Sequence, residues 1–142
     1  MKKVYLAARY SRKLEMGKYR EILQSYGVEV TSRWLDEPAN ASAIGDYNAA
    51  TIDLEDVKKA DTLIFFAENP LVGVPRGGRH VEFGYALALM QSGEWGTIER
   101  ILVIGEKENV FHNLEEVQHF ESFEILVEKY VQERNELELH GV

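Results

Sequence analysis

Cysteine is missing from the 142 residues, and proline occurs only three times. With no cysteine there is no disulfide, no thiolate metal site and no thiol nucleophile. Long hydrophobic runs are missing too: no stretch approaches the ~18 apolar residues of a membrane span. The basic start, "MKKVYLAARYSRK", holds no apolar segment long enough for a signal peptide. Positive charge is in the minority, with 16 basic against 24 acidic residues and a formal net charge of -8. That balance disfavours a nucleic acid polymer or an anionic membrane as partner, while leaving room for a local basic pocket that takes one small anion. Three motifs are also lacking: G-x-x-x-x-G-K-[ST], a G-x-G-x-x-G after the first apolar segment, and H-E-x-x-H. The four histidines, His80, His112, His119 and His140, form no close pair. The expectation is a cytoplasmic protein without metal or cofactor.

What is present is ordinary globular composition, 45% hydrophobic and 28% charged, at a length that supports one core. "KVYLAA" reads as a buried strand and "VEVTSRW" as a second, alternating one. "LEMGKYREILQSYG" places Leu14, Tyr19, Ile22, Leu23 and Tyr26 at helical spacing, with Gly27 suited to close the helix. "LDEPANASAIGDYN" is an irregular loop. "YNAATIDLEDVKKAD" is a helix with Ala50, Leu54, Val57 and Ala60 as its stripe. "TLIFFAE" and "RILVIGE" are continuous apolar strands of the kind covered on both faces. A loop, "NPLVGVPRGG", separates the first of these from a third helix around "VPRGGRHVEFGYALALM", and "RILVIGE" follows that helix. The C-terminal "ESFEILVEKYVQERNELEL" is amphipathic, with Phe123, Leu126, Val127 and Tyr130 on one side. Alternating strands and helices predict a single α/β domain over residues 1–142. It is a doubly wound parallel sheet of four to five strands, flavodoxin- or Rossmann-like, with helices on both faces and right-handed crossovers.

Ligands in such sheets bind beyond the carboxyl ends of the strands. "ARYSR", "SRWLDEP" and "ENPLVGVPRGG" stand there. Gly77 and Gly78 either make a tight turn or offer backbone N–H groups to an anion at the third helix's start, with Arg76 and Arg79 assisting. Glu82 is the one carboxylate in an otherwise apolar run. A first-turn glutamate is stabilised by the helix dipole, yet its neighbours argue against a purely solvated role. The dipole would keep it ionised, as a carboxylate nucleophile requires. Among nearby acids, Asp53 borders the buried stripe, whereas Glu55 and Asp56 fall among solvated positions. Tyr5 either packs in the core or holds a carboxylate in place.

The ordered set "VYLAARYS", "IDLEDVKKADTLIFF" and "GGRHVEFGYALAL" resembles the nucleoside 2-deoxyribosyltransferase family, which includes deoxynucleoside 5′-monophosphate N-glycosidases. The resemblance runs from about residue 3 to "VFHNL". It implies that Glu82 attacks C1′ of a 2′-deoxynucleoside, that Asp53 helps protonate the leaving base, and that Tyr5 orients Glu82. The covalent deoxyribosyl intermediate then passes to a second nucleobase or to water, a double displacement like that of retaining glycosidases. It also implies a homodimer or higher oligomer in which Asn113 is contributed in trans. Asn113 suits a helix N-cap before "LEEV" equally well. The lead-in is more basic than a plain nucleoside needs. Arg9, Arg12, Arg33, Arg76 and Arg79 together suit a 5′-phosphate, with Ser11 beside them, while Tyr10 and Trp34 are candidates for base stacking. A non-catalytic nucleotide-sensing module on the same fold is the alternative of another class.

Overall fold

The computed structural model describes residues 1–37, 46–69, 77–93 and 98–140. Five strands form one sheet: β1 (Lys3–Ala7), β2 (Glu29–Val30), β3 (Thr62–Phe66), β4 (Arg100–Ile104) and β5 (Val117–Phe120). Their spatial order is β2-β1-β3-β4-β5, and every pairing is parallel. This is a flavodoxin-like order, with its topological switch between β1 and β3. The four main helices are α1 (Lys13–Ser25), α2 (Asp46–Lys59), α3 (Gly78–Ser92) and α4 (Phe123–Leu139).

The sheet's central strands separate two faces. In register, Tyr5 lies beside Leu63 and Ala7 beside Phe65. Phe65 meets Phe83 of α3 edge-on at 5.6 Å, so this face carries α3. The next residue, Phe66, points the other way and stacks on Tyr19 of α1 at 5.6 Å. Tyr19 in turn stacks on Phe123 of α4 at 4.1 Å. Every residue of β3 is buried, as a central strand covered on both faces requires.

Local chemistry fixes the ends. Gly27 adopts φ +78° after α1. Its N–H bonds to the Gln24 carbonyl and that of Val28 to the Leu23 carbonyl, a Schellman closure that glycine makes without a Cβ clash. Ser122 caps α4 by accepting a bond from the Ile125 amide at 3.2 Å.

Several expectations are corrected. The "VEVTSRW" strand is only two residues long, followed by a 3₁₀ turn at Arg33–Asp36. The cause is side-chain substitution for the ladder: Ser32 Oγ accepts the Leu6 amide at 2.8 Å, and Trp34 Nε1 donates to the Leu6 carbonyl at 3.0 Å. The predicted α1 stripe is rotated. Leu14 is 85% exposed, whereas Met16 and Leu23 are buried. "LEEV" is not a helix; it turns directly into β5. β5 itself is too short and polar in sequence, "VQHF", to stand out.

Candidate active site

Tyr5 is wholly buried in β1, and its hydroxyl donates a hydrogen bond to Oε2 of Glu82. Glu82 is half-buried and sits one full turn inside α3, which has no acidic residue in its first turn. The macrodipole acts mainly within that first turn. Burial therefore dominates: it drives the Glu82 pKa up to about 8, against the lowering effect of the Tyr5 hydroxyl and with help from the Asp53 charge. The expected dipole-held ionised carboxylate is corrected accordingly. Burial thus favours the protonated form of Glu82 in the free protein. The Tyr5 phenol is pushed well above its ordinary value by burial, then by the charges of Glu82 and Asp53.

Asp53 reaches the same place from α2. Burial, followed by the charges of Glu37 and Asp56, raises its pKa to about 7, with Arg33 opposing. Among the described residues its Oδ1 is buried without a hydrogen-bond partner, as is Oε1 of Glu37. Asp56, expected among solvated positions, is 1% exposed. Its two oxygens accept from the Arg33 backbone amide at 2.9 Å and from Arg33 Nε at 2.8 Å. The signal was present in the sequence: Asp53, Asp56, Val57 and Ala60 follow one helical face.

Most of the cations considered for a phosphate are engaged with carboxylates. Arg12 forks onto Glu15 at 2.7 and 2.8 Å and reaches Glu68 at 3.3 Å. Arg33 holds Asp56 and Glu55. The Arg79 guanidinium is turned inward, 1% exposed, and forms two bonds to Glu108 at 2.6 and 3.0 Å. Arg9 lies in the turn after β1, where its side chain has no hydrogen-bonding partner among the described residues, and Ser11 beside it is exposed. Arg76 lies outside the described residues. Gly77 and Gly78 are exposed at the start of α3, with open space where a Cβ would stand.

Trp34 is buried as part of the core, whereas Tyr10 is 44% exposed; the ring centroids are 6.3 Å apart. Asn113 is exposed at the end of the 3₁₀ turn Val110–Asn113, and its Nδ2 donates to the Val110 carbonyl at 3.4 Å. The N-cap of that turn is Asn109, which accepts from the Phe111 amide. Among the described residues, no group of three or more metal-ligating side chains converges, and no helix is long and apolar enough to cross a membrane. Sequence reasoning missed Glu37, Asp56 and Glu108. For Glu108, in the polar "GEKENVFHN", no sequence signal separates it from its neighbours.

Two carboxyls and a phenol thus meet beside the switch point. One acid is seated against Tyr5, and the other is neutral or charged according to small changes near pH 7. That pairing suits nucleophilic and acid–base work on one small substrate.

No family model matches the chain, and no curated protein matches it in sequence. Solved structures share its fold, two of them as follows. One is the Clostridium botulinum CMP N-glycosidase BcmB, with 18% identity and a TM-score of 0.60, covering 92% of this chain and 99% of that one. The other is the solution structure of BlsM, with 19% identity and a TM-score of 0.59, covering 87% and 83% respectively.

Proposed function

We propose that this chain cleaves the N-glycosidic bond of a nucleoside or its 5′-monophosphate through a covalent glycosyl–Glu82 intermediate. The observation that carries this reading is the hydrogen bond from Tyr5, in the middle of β1, to Glu82 of α3, with the Asp53 charge acting on both. In the first step the Glu82 carboxylate attacks C1′. The bond from C1′ to the base nitrogen breaks with its electron pair going to the base, which takes the proton of neutral Asp53. In the second step water attacks C1′, gives its proton to the Asp53 carboxylate, and releases Glu82 with net retention. Tyr5 holds the attacking oxygen in line.

The fold shared with a protein described as a CMP N-glycosidase supports hydrolysis of a nucleotide. The ordered resemblance of Tyr5, Asp53 and Glu82 to the deoxyribosyltransferases favours the second reading, transfer of 2-deoxyribose to another nucleobase. Arg9, Ser11 and the amides at Gly77–Gly78 are the groups we assign to a 5′-phosphate, with the Tyr10 ring beside the base. Asn113, exposed at its turn, is available to a neighbouring subunit in a homodimer or higher homo-oligomer.

The test is base release from CMP, dCMP and their nucleosides, with and without a second base. Free base and sugar phosphate are expected, and a new nucleoside only if transfer operates. Glu82→Ala should lower turnover at least ~10³-fold with folding retained. Ligand binding without turnover by the native protein would instead mark a sensing module.

A further inference from the structure

Glu108, in the loop after β4, is a nearly buried carboxylate that the proposed chemistry does not use. Its side chain is 9% exposed and receives both arms of the Arg79 fork. It also accepts the Glu68 backbone amide from the loop after β3 and faces His80 Nε2 at 3.2 Å. Its own amide donates to Nδ1 of fully buried His112 at 3.1 Å. His112 lies edge-on against Phe65 at 4.8 Å and Phe83 at 5.0 Å. The Arg79 guanidinium covers the same Phe65 ring at 4.9 Å. From Glu68 the chain of contacts continues to Arg12 behind β1 at 3.3 Å. The loops after β3 and β4 and the first turn of α3 are therefore laced through the Glu108 carboxylate, and the Glu68 carboxylate extends the link to Arg12 after β1.

We infer that Glu108 is a positioning residue: it anchors the first turn of α3 to the strand-end loops and so sets Glu82, one turn further on, against Tyr5. This rests on the reading of Glu82 as the nucleophile. Helix α3 needs such an anchor because its N-cap, Gly77, makes no side-chain capping bond. Arg79 and Glu82 are three residues apart and share a helix face, so a fork that fixes the first also fixes the rotation of the second. A well-packed apolar pair would hold the fold equally well, whereas a bidentate ion pair adds direction. The Glu108 carboxyl is kept below its usual range. Burial alone would raise it, but Arg79, the Glu68 amide and His80 outweigh that.

Two variants test this, Glu108→Gln and the apolar pair Arg79→Met with Glu108→Leu. The first readout is the NMR titration of the Glu82 carboxyl in the free protein, and the second is steady-state kinetics on CMP and dCMP. In folded Glu108→Gln, the Glu82 titration should fall from about 8 towards the ordinary carboxylate range. Its kcat should drop ~10–100-fold while KM stays within about twofold, as expected for a misaimed attacking group. The apolar pair should regain thermal stability without regaining kcat. An unmoved Glu82 titration in either folded variant, or full turnover by the apolar pair, overturns the inference. Should the native protein turn over neither nucleotide, the proposed function fails, and the titration alone decides the role of Glu108. Should Glu108→Gln not fold, the same titration in the apolar pair decides.

Discussion

At the scale of single residues, Glu82 and Asp53 titrate in an order that constrains the chemistry. The proposed cleavage requires Glu82 ionised and Asp53 protonated, yet burial holds Glu82 near 8 and Asp53 near 7. The productive pair is consequently a minor microstate, populated most midway between the two values. kcat/KM should trace a bell with its maximum at about pH 7.5 and limbs that belong to the coupled pair rather than to either side chain. The measurement is kcat/KM from pH 5.5 to 9.5, and a flat profile there would count against both assigned roles. Only part of this was legible in the residues. Glu82 stood out because an acid in an apolar run is unusual. Its protonation did not, because that depends on Tyr5 and Asp53 arriving from two other elements.

At the scale of elements, the second strand shows how side chains displace a ladder. Ser32 is 2% exposed, and its hydroxyl takes the Leu6 amide that a longer β2 would have paired. Ser32→Ala leaves that amide buried without an acceptor, so it should cost about 1–3 kcal/mol in urea unfolding with an unchanged m-value. Alternation in "VEVTSRW" gave no hint of this, since Ser and Trp are compatible with a strand until their hydrogen-bond partners in β1 are known. Helix α1 carries a similar lesson. Tyr19 and Leu23 belong to its inner stripe, but Met16, not Leu14, completes it. Periodicity sets the angle between side chains and leaves the rotation to whatever the helix packs against.

At the scale of the whole molecule, the raised carboxyls link folding to pH. A folded pKa above the unfolded one means that the native state holds the proton more tightly. The associated stability is complete below the unfolded value and is lost as pH rises through the folded one. For Asp53 that window runs from the ordinary aspartate range up to about 7, and for Glu82 from the ordinary glutamate range up to about 8. Thermal midpoints should accordingly fall between pH 5 and 8. Glu82→Gln should flatten the decline, leaving the variant more stable than the native chain at pH 8.5 by on the order of 1–3 kcal/mol. Calorimetry across that range checks it, and parallel declines for both proteins would refute the linkage.

The sequence by itself determined the fold class. Strand-like apolar runs alternating with helical stripes leave a parallel α/β sheet as the way to bury both, and polar loops then collect at the strand ends. Only the tertiary structure decided which charges are available there. Arg12, Arg33 and Arg79 look alike in the chain, yet each is held by carboxylates of its own fold. Glu108 looks like any loop acid until the fold places it at the point where the loops after β3 and β4 meet α3. Charge depends on distance and on exclusion of water, and neither is written in the order of residues.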